Sequence, residues 1–397
     1  MNQQQTPNLA RRAKRHAWAP TWRFFAACPP GLEPVLAAEL EELGFAEVAA
    51  TAGGVEFSGR LAEAYRANLW LRSAGRVLLR LKDFRVRRFS DLPRQAAAVP
   101  WEVFLPAGCL LAVQVSLRRS NLRHAGQAAQ AVFDAACRRL ADLGLEPPRP
   151  APAPDAAGRQ MVMVRGQERR ALISLDTSGE HLHRRGYRLA GAKAPLRENL
   201  AAALLLFCGY RGDEPLLDAM CGSGTLAIEA ALLARRLPPA LERGLALEDW
   251  PAHHPATWRH LRRKAREAVL PRAPRPIHAW DLKAGALRAA RENAARAGVE
   301  ADLTLERGDF FSAPPPQAAP GLLVCNPPYG RRLGNQRQAR QLVVRLGGHL
   351  RRHYQGWRVG LVLHRPQWIK LVGLKEVESL LTSHGGLKVC LVRGRVG

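Results

Sequence analysis

A chain of 397 residues is longer than one hydrophobic core usually covers, and predicts two to three domains. With 47% apolar residues it is a folded chain rather than a disordered basic tail, and 60 Lys and Arg against 34 Asp and Glu give a formal charge of +26, which favours a polyanion as partner. The longest unbroken apolar run, Leu200 to Cys208, is nine residues, well short of a membrane span, and no apolar stretch follows Arg11–Arg15 as a secretory signal requires.

The positive charge is spread over both halves, +11 for residues 1–190 and +15 for 191–397. Only eight of the cations are Lys, a bias that suits phosphate and planar-base contacts but that a GC-rich genome also produces. Seven Cys without a C-x-x-C spacing predict reduced thiols and a cytoplasmic location, not a disulfide frame or a zinc site. The pairs His181/His183 and His253/His254 lack further ligands at metal spacing; they are expected to be solvated or RNA-facing, with no metal bound.

In chain order, residues 1–20 are polar and basic without an apolar period, which predicts a mobile arm. Ordered structure is expected from Trp22. Leu32, Val35, Leu36, Leu40 and Leu43 recur at helical spacing, with Pro34 in the first turn and Gly44 as terminator. A second helix fits Leu61 to Trp70, and Val77 to Leu81 reads as a strand. Leu111, Val113, Val115 and Leu117 alternate with polar or small residues as in a half-buried strand, and a helix follows through Ala128, Val132, Ala136 and Leu140. Five prolines between Pro147 and Pro154 form a stiff connection, after which Met161–Val164 and Ala171–Leu175 read as strands. This half is an α+β module.

After Arg188 strands alternate with helices: Pro215–Asp218 then Leu226–Leu237, Ile277–Trp280 then Ala284–Ala297, Gly321–Cys325, and Val359–Leu363. That alternation predicts a parallel α/β sheet. The domain boundary is placed between Asp176 and Ala194, and no internal repeat is visible.

Two segments carry chemistry. In Leu216-Leu217-Asp218-Ala219-Met220-Cys221-Gly222-Ser223-Gly224-Thr225 a buried strand ends in an acid and a glycine turn opens a helix. Glycines let the backbone approach a ligand, and the helix N-terminus offers unpaired N–H groups. It is not a phosphate loop, because G-x-x-x-x-G-K is absent. The second segment, Asn326-Pro327-Pro328-Tyr329-Gly330, directly follows the strand Leu322–Cys325. In an open α/β sheet the carboxyl ends of strands form the ligand crevice. Two successive prolines there hold an amide and an aromatic ring in fixed geometry.

Taken together, these motifs resemble class I S-adenosylmethionine-dependent methyltransferases that act on exocyclic amino nitrogens. More closely, the chain resembles the bacterial RlmL-type 23S rRNA (guanine-N2) methyltransferases with an amino-terminal THUMP RNA-binding domain. The resemblance runs from about Phe24 to the C-terminus, through Gly31-Leu32-Glu33, Gly53-Gly54-Val55-Glu56-Phe57, Asp176-Thr177-Ser178-Gly179-Glu180, His183-Arg184-Arg185-Gly186-Tyr187-Arg188 and Ala194-Pro195-Leu196-Arg197-Glu198. Ala219 stands where the family usually has Pro, and Asn199 where Thr is common. A fused second methyltransferase found in some relatives is not expected here, nor its guanine-N7 activity.

The resemblance implies an arm (1–20), a ferredoxin-like segment (21–64), a THUMP domain (65–177) and a seven-stranded Rossmann-like methyltransferase domain (178–397). It implies S-adenosyl-L-methionine held by Asp218, Met220, Gly222, Ser223, Gly224, Thr225 and Asn326, with Asp281 on the ribose hydroxyls and Asp309 on the adenine amino group. Asn326 and the Pro327 carbonyl would accept the two hydrogens of the target amino group, with Pro328 holding the turn and Tyr329 stacking on a base taken out of its helix. Arg85, Arg87, Arg88, Arg118, Arg119 and Arg123 lie near predicted strands and loops of the amino half and are candidates for phosphate contacts. The implied partner is 23S rRNA or a large-subunit precursor, with guanosine 2445 as target. A tRNA guanine-N2 enzyme, a DNA adenine-N6 enzyme and a non-catalytic RNA-binding assembly factor are the alternatives.

Overall fold

The computed structural model describes residues 17–153, 155–188, 196–316, 320–328 and 336–397. The amino-terminal half is built on one sheet of eight strands: β1 (Trp22–Ala27), β2 (Ala46–Thr51), β3 (Gly54–Gly59), β4 (Arg76–Arg85), β5 (Leu110–Arg118), β6 (Arg149–Pro150), β7 (Gln160–Gln167) and β8 (Arg170–Asp176), in the order β2-β3-β1-β4-β8-β7-β5-β6. Its pairs are antiparallel except those that β5 makes with β6 and β7. Alternation along each strand sends Phe24, Ala26, Val55, Phe57, Val77, Leu79, Ile173 and Leu175 into one core with Leu36, Leu40, Ala64, Val132 and Ala136 of the helices Glu33–Glu42, Leu61–Trp70 and Ala125–Asp142. The proline segment contributes only the edge strand β6, where a missing N–H costs least.

Two features differ from the sequence reading. Of the arm expected over residues 1–20, residues 1–16 lie outside the described residues, but Ala17 is fully buried and Trp18 donates its indole N–H to the Ala252 carbonyl (2.8 Å). Ordered packing therefore begins before Trp22, because the large ring finds a partner far away in sequence. In addition, β1 and β4 pair side by side and the helix Leu61–Trp70 spans the 64/65 division, so the two amino-terminal segments share one sheet.

The carboxyl-terminal half holds a sheet of seven strands: β9 (Leu216–Asp218), β10 (Ile277–Asp281), β11 (Leu303–Arg307), β12 (Leu322–Cys325), β13 (Arg358–Leu363), β14 (Lys375–His384) and β15 (Leu387–Arg395), in the order β11-β10-β9-β12-β13-β15-β14. Strands β9 to β13 are parallel, and β15 closes on β13 antiparallel. The sheet is covered on both faces. Leu216, Ile277 and Val324 meet the helices Glu198–Phe207 and Thr225–Ala234, while Leu217, Leu323 and Leu361 meet the helix Gln336–His353. Every residue of Thr225–Ala234 is buried, including Glu229, whose carboxylate meets the Tyr187 hydroxyl and Arg185. Strand order reverses between β9 and β12, which places the crevice outside their carboxyl ends.

The halves are joined by more than the chain. The segment between Thr225–Ala234 and β10 leaves its own sheet and packs into the amino-terminal core through Leu247, Trp250, Ala252 and Trp258. His253 correspondingly meets the Tyr65 hydroxyl (2.6 Å), and the His254 ring accepts from Thr257 N–H to cap the helix Pro255–Glu267. His253 is thus held by the core, not solvated or RNA-facing, because the insertion folds back onto the helix Leu61–Trp70, while His254 caps its helix and stays exposed as expected.

Candidate active site

Three strand ends converge on the crevice: Asp218 closes β9, Asp281 closes β10 and Asn326 follows β12. The register fixes their placement, since Asp218 lies beside Ala279 on one side and Val324 on the other. The turn after β9 is tied to both neighbours, with Ala219 N–H on the Val324 carbonyl (3.0 Å) and Cys221 N–H on the Trp280 carbonyl (2.8 Å).

Asp218 is fully buried, and neither of its carboxylate oxygens meets a donor with full hydrogen-bond geometry. Burial pushes its pKa up to about 7; the nearby N–H groups of Ala227 and Met220 hold it down in part, and Asp281 adds a small rise. A buried carboxyl with unmet acceptor capacity is a place for a ligand donor. Asp281 accepts from Gly222 N–H (2.9 Å) through one oxygen and from Lys283 N–H (2.9 Å) through the other. One lone pair on each oxygen stays available, enough for a vicinal diol. Asp281 thus also pins the glycine turn to β10, a role the sequence did not reveal.

The two glycines differ. Gly224 is the left-handed N-cap of Thr225–Ala234 (φ 81°), and a Cβ there would lie 3.0 Å from Ala290 Cβ, so it is required for close helix packing. Gly222 is also left-handed (φ 56°), yet a Cβ there would meet nothing within 4 Å. Its bare backbone faces open space, the geometry of a ligand cradle. Met220 and Ser223 are half-buried beside it; Thr225 is buried, with its hydroxyl 3.2 Å from Arg188 Nη2.

Asn326 Oδ1 is buried and has no partner among the described residues, while Pro327 is buried and Pro328 half-buried. Tyr329 lies outside the described residues, as do Ala194 and Pro195. Asp309, expected on the adenine side, accepts from Phe311 N–H (3.0 Å) and lies 3.8 Å from Arg345, whose guanidinium sits over the Phe311 ring (4.0 Å). Asp309 therefore closes a local turn, with its second oxygen toward the Ser312 hydroxyl (3.5 Å) and Arg345.

Asn293, absent from the sequence reading, holds the site from behind. It is buried in the helix Ala284–Arg296, donates Nδ2 to the Ser223 carbonyl (3.0 Å) and accepts from Arg296 Nη2 (2.7 Å). Arg296 in turn donates Nε to the Tyr187 carbonyl (2.8 Å), and the Tyr187 hydroxyl donates to Glu229 (3.0 Å). The glycine turn is therefore braced against the segment that enters from the amino-terminal half. The available signal was a polar residue on the buried stripe of an Ala-rich helix, which must find partners.

The six candidate RNA contacts, Arg85, Arg87, Arg88, Arg118, Arg119 and Arg123, are all exposed, and none has a carboxylate partner among the described residues. They gather at one end of the amino-terminal sheet. Arg85 pairs in register with Arg170, Arg170 with Gln167, and Gln167 with Arg118, while Val86 N–H reaches the Arg169 carbonyl (2.7 Å). Arg169 and Arg170 belong to the same edge and were not anticipated, since only strand pairing brings them there. Among the described residues no group of three or more His, Cys, Asp or Glu is arranged to hold a metal, and no helix is long and apolar enough to cross a membrane.

Comparison with known proteins agrees with this geometry. The RlmL ferredoxin-like domain matches residues 23–78. A ribosomal RNA large subunit methyltransferase K/L of Syntrophotalea carbinolica is 41% identical over 383 residues, 93% of this chain and 53% of its own, so the chain spans about half the length of that relative. The SMU.472 protein, solved in complex with SAH, superposes with a TM-score of 0.83 at 28% identity, covering 95% of this chain and 98% of that one. A predicted N6-adenine-specific DNA methylase of Listeria monocytogenes gives 0.82 at 28%, covering 95% and 97%. With the RMKL-like methyltransferase domain model matching residues 185–392, more than half its length, the chain belongs to that methyltransferase family.

Proposed function

We propose that this chain transfers a methyl group from S-adenosylmethionine to the exocyclic N2 amino group of a guanosine in 23S rRNA, in the cytoplasm. The observation that carries the reading is Asn326: a buried, unpartnered amide oxygen at the strand end beside an unpartnered Asp218. The name of the Syntrophotalea relative supports a ribosomal RNA substrate, and the SAH in the SMU.472 structure supports the cofactor. Unmet acceptors on Asp218, the spare lone pairs of Asp281 and the open space at Gly222 suit a ligand bearing an amino group and a ribose.

The cofactor supplies a sulfonium methyl already activated for transfer, so the protein's task is alignment and polarisation. A guanine amino nitrogen is a weak nucleophile because its lone pair is delocalised into the ring. Asn326 Oδ1 and the Pro327 carbonyl accept its two hydrogens, which localises that pair toward the methyl carbon. As the nitrogen–carbon bond forms, the carbon–sulfur bond breaks to leave the neutral thioether, and the surplus proton of the nitrogen passes to solvent. Tyr329 stacks on the extruded base, and the rigid Asn-Pro-Pro turn keeps the acceptors in place. The amino half, read as the ferredoxin-like and THUMP segments, supplies affinity through Arg85, Arg87, Arg88, Arg118, Arg119 and Arg123.

The deciding experiment offers labelled S-adenosylmethionine with 23S rRNA, tRNA and DNA in parallel and identifies product nucleosides by mass spectrometry. N2-methylguanosine in 23S rRNA alone is the expected result. N2-methylguanosine in tRNA, or N6-methyladenine in DNA as the name of the Listeria protein suggests, would overturn the substrate and leave the catalytic site standing. Cofactor binding without turnover on any nucleic acid would overturn catalysis itself.

A further inference from the structure

The open face of the amino-terminal sheet carries a groove of about 1030 Å³, which shares no lining residue with the crevice and is lined by Arg80, Arg85, Arg165, Arg169 and Arg170 together with Glu56, Asp83 and Glu168. Register places these residues on one face: Asp83 lies beside Leu172 and Leu172 beside Arg165, two residues from the row of Arg85, Arg170 and Gln167. An antiparallel sheet commonly turns one face to solvent with a mixture of charges. Two of the three acids are already engaged, Glu56 by Arg23 and Arg80 and Asp83 by Arg23 and Arg170, while Glu168 has no ion pair among the described residues and leaves five arginines against one free carboxylate. Arg85, Arg165 and Arg169 have no carboxylate partner among the described residues.

The floor of the groove is more unusual than its walls. The Arg80 side chain is only 9% exposed, lies over the Phe25 ring (4.2 Å), and donates to Ser174 Oγ (3.1 Å) and Glu56 (3.2 Å). Its Nε–H is buried without an acceptor. Burial, reinforced by Arg23 and Arg165, lowers this guanidinium to about 10 even with Glu56 alongside. A buried cation with an unmet donor, ringed by unpaired arginines, is stabilised by an anion entering the groove. The groove offers donors and few free acceptors, and Phe25 is already covered by Arg80, so it has no open ring for stacking. That chemistry reads phosphate, not base identity.

We propose that this groove binds the ribose-phosphate backbone of the RNA substrate, a docking site separate from the methylation crevice and continuous with the arginine edge at Arg85. It rests on the reading of the substrate as RNA. The test measures binding of a fluorescent 20-nucleotide RNA to the full chain across a potassium chloride series, for wild type and for R165A/R169A, which leaves the Arg80–Glu56 pair intact. Loss of two phosphate contacts should flatten the slope of log affinity against log salt by about 1.4, at about 0.7 per contact on a single strand. An unchanged slope overturns the groove. So does inorganic phosphate or a nucleoside monophosphate displacing the RNA at concentrations comparable to the oligonucleotide, since the site would then be one for a small anion. R80K, which keeps the charge and discards the planar fork, should weaken RNA binding while urea unfolding reports whether the fold persists. The two readings fail separately: methylated RNA with an unchanged slope removes the groove alone, and a flattened slope with no methylation of any RNA removes the proposed activity alone.

Discussion

The two glycines of the turn after β9 give a prediction in which stability and binding part company. A side chain at Gly224 carries two costs. The left-handed backbone disfavours a non-glycine residue by about 1–2 kcal/mol, and a Cβ 3.0 Å from Ala290 Cβ and 3.3 Å from its Cα adds an overpacking cost of about 1–3 kcal/mol. Gly224→Ala should therefore destabilise the protein by about 2–5 kcal/mol, read by urea unfolding. At Gly222 only the backbone cost applies, about 1–2 kcal/mol, because its Cβ would point into open space. If that space holds the cofactor, Gly222→Ala should weaken S-adenosylmethionine binding by tenfold or more in calorimetry, about 1.4 kcal/mol or greater. Wild-type cofactor affinity in Gly222→Ala would refute the cradle. Equal stability losses in the two variants would refute the division of roles.

Asn326→Ala should cut single-turnover methyl transfer by about two to three orders of magnitude, the scale of losing one positioned polar group, with cofactor affinity held within threefold; a parallel loss of cofactor binding would contradict its role at the amino group. Asn293→Asp keeps shape and the Arg296 contact but cannot donate to the Ser223 carbonyl, so cofactor affinity should fall about three- to tenfold for one net hydrogen bond of about 0.5–1.5 kcal/mol. The Asp218 carboxyl is pushed up to about 7 in the folded chain, so its stabilising contribution is full below its unfolded value of about 4 and is lost as pH rises through the folded value. Without ligand, Asp218→Asn should therefore gain stability relative to wild type between pH 5 and pH 8, and an unchanged difference in urea unfolding at those two pH values would count against the burial argument.

What the sequence disclosed follows from how local each signal is. Leu216–Thr225 was legible because a buried strand, an acid and a glycine turn sit side by side in the chain, and the helix Leu61–Trp70 showed its apolar period directly. The strands β1 to β3 were not read: Ala46–Thr51 is almost wholly exposed and Ala-rich, so its extended form comes from pairing with β3 and not from any alternation of its own. The insertion was missed for a similar reason. Trp250 and Trp258 meet their ring partners, Phe104 and Tyr65, only across the molecule. Within the site, Asp281 as the clamp on Gly222 and Asn293 behind Ser223 are contacts between side chain and backbone dozens of residues apart. No spacing rule encodes them.

The insertion that carries Trp250 and Trp258 into the amino-terminal core has a consequence for target choice. Because both halves share that core, the arginine edge is packed into one body with the domain that carries the crevice, and β4 alone, ten residues long, separates the Arg85 end from the Arg76 end by roughly 30 Å at about 3.3 Å per residue. The protein then behaves as a caliper with fixed jaws. On the proposed reading of an RNA substrate, a nucleotide would be offered for methylation when the strand that bears it can bridge from that edge to the crevice, so that reach, rather than the letters around the target, would govern which site is modified.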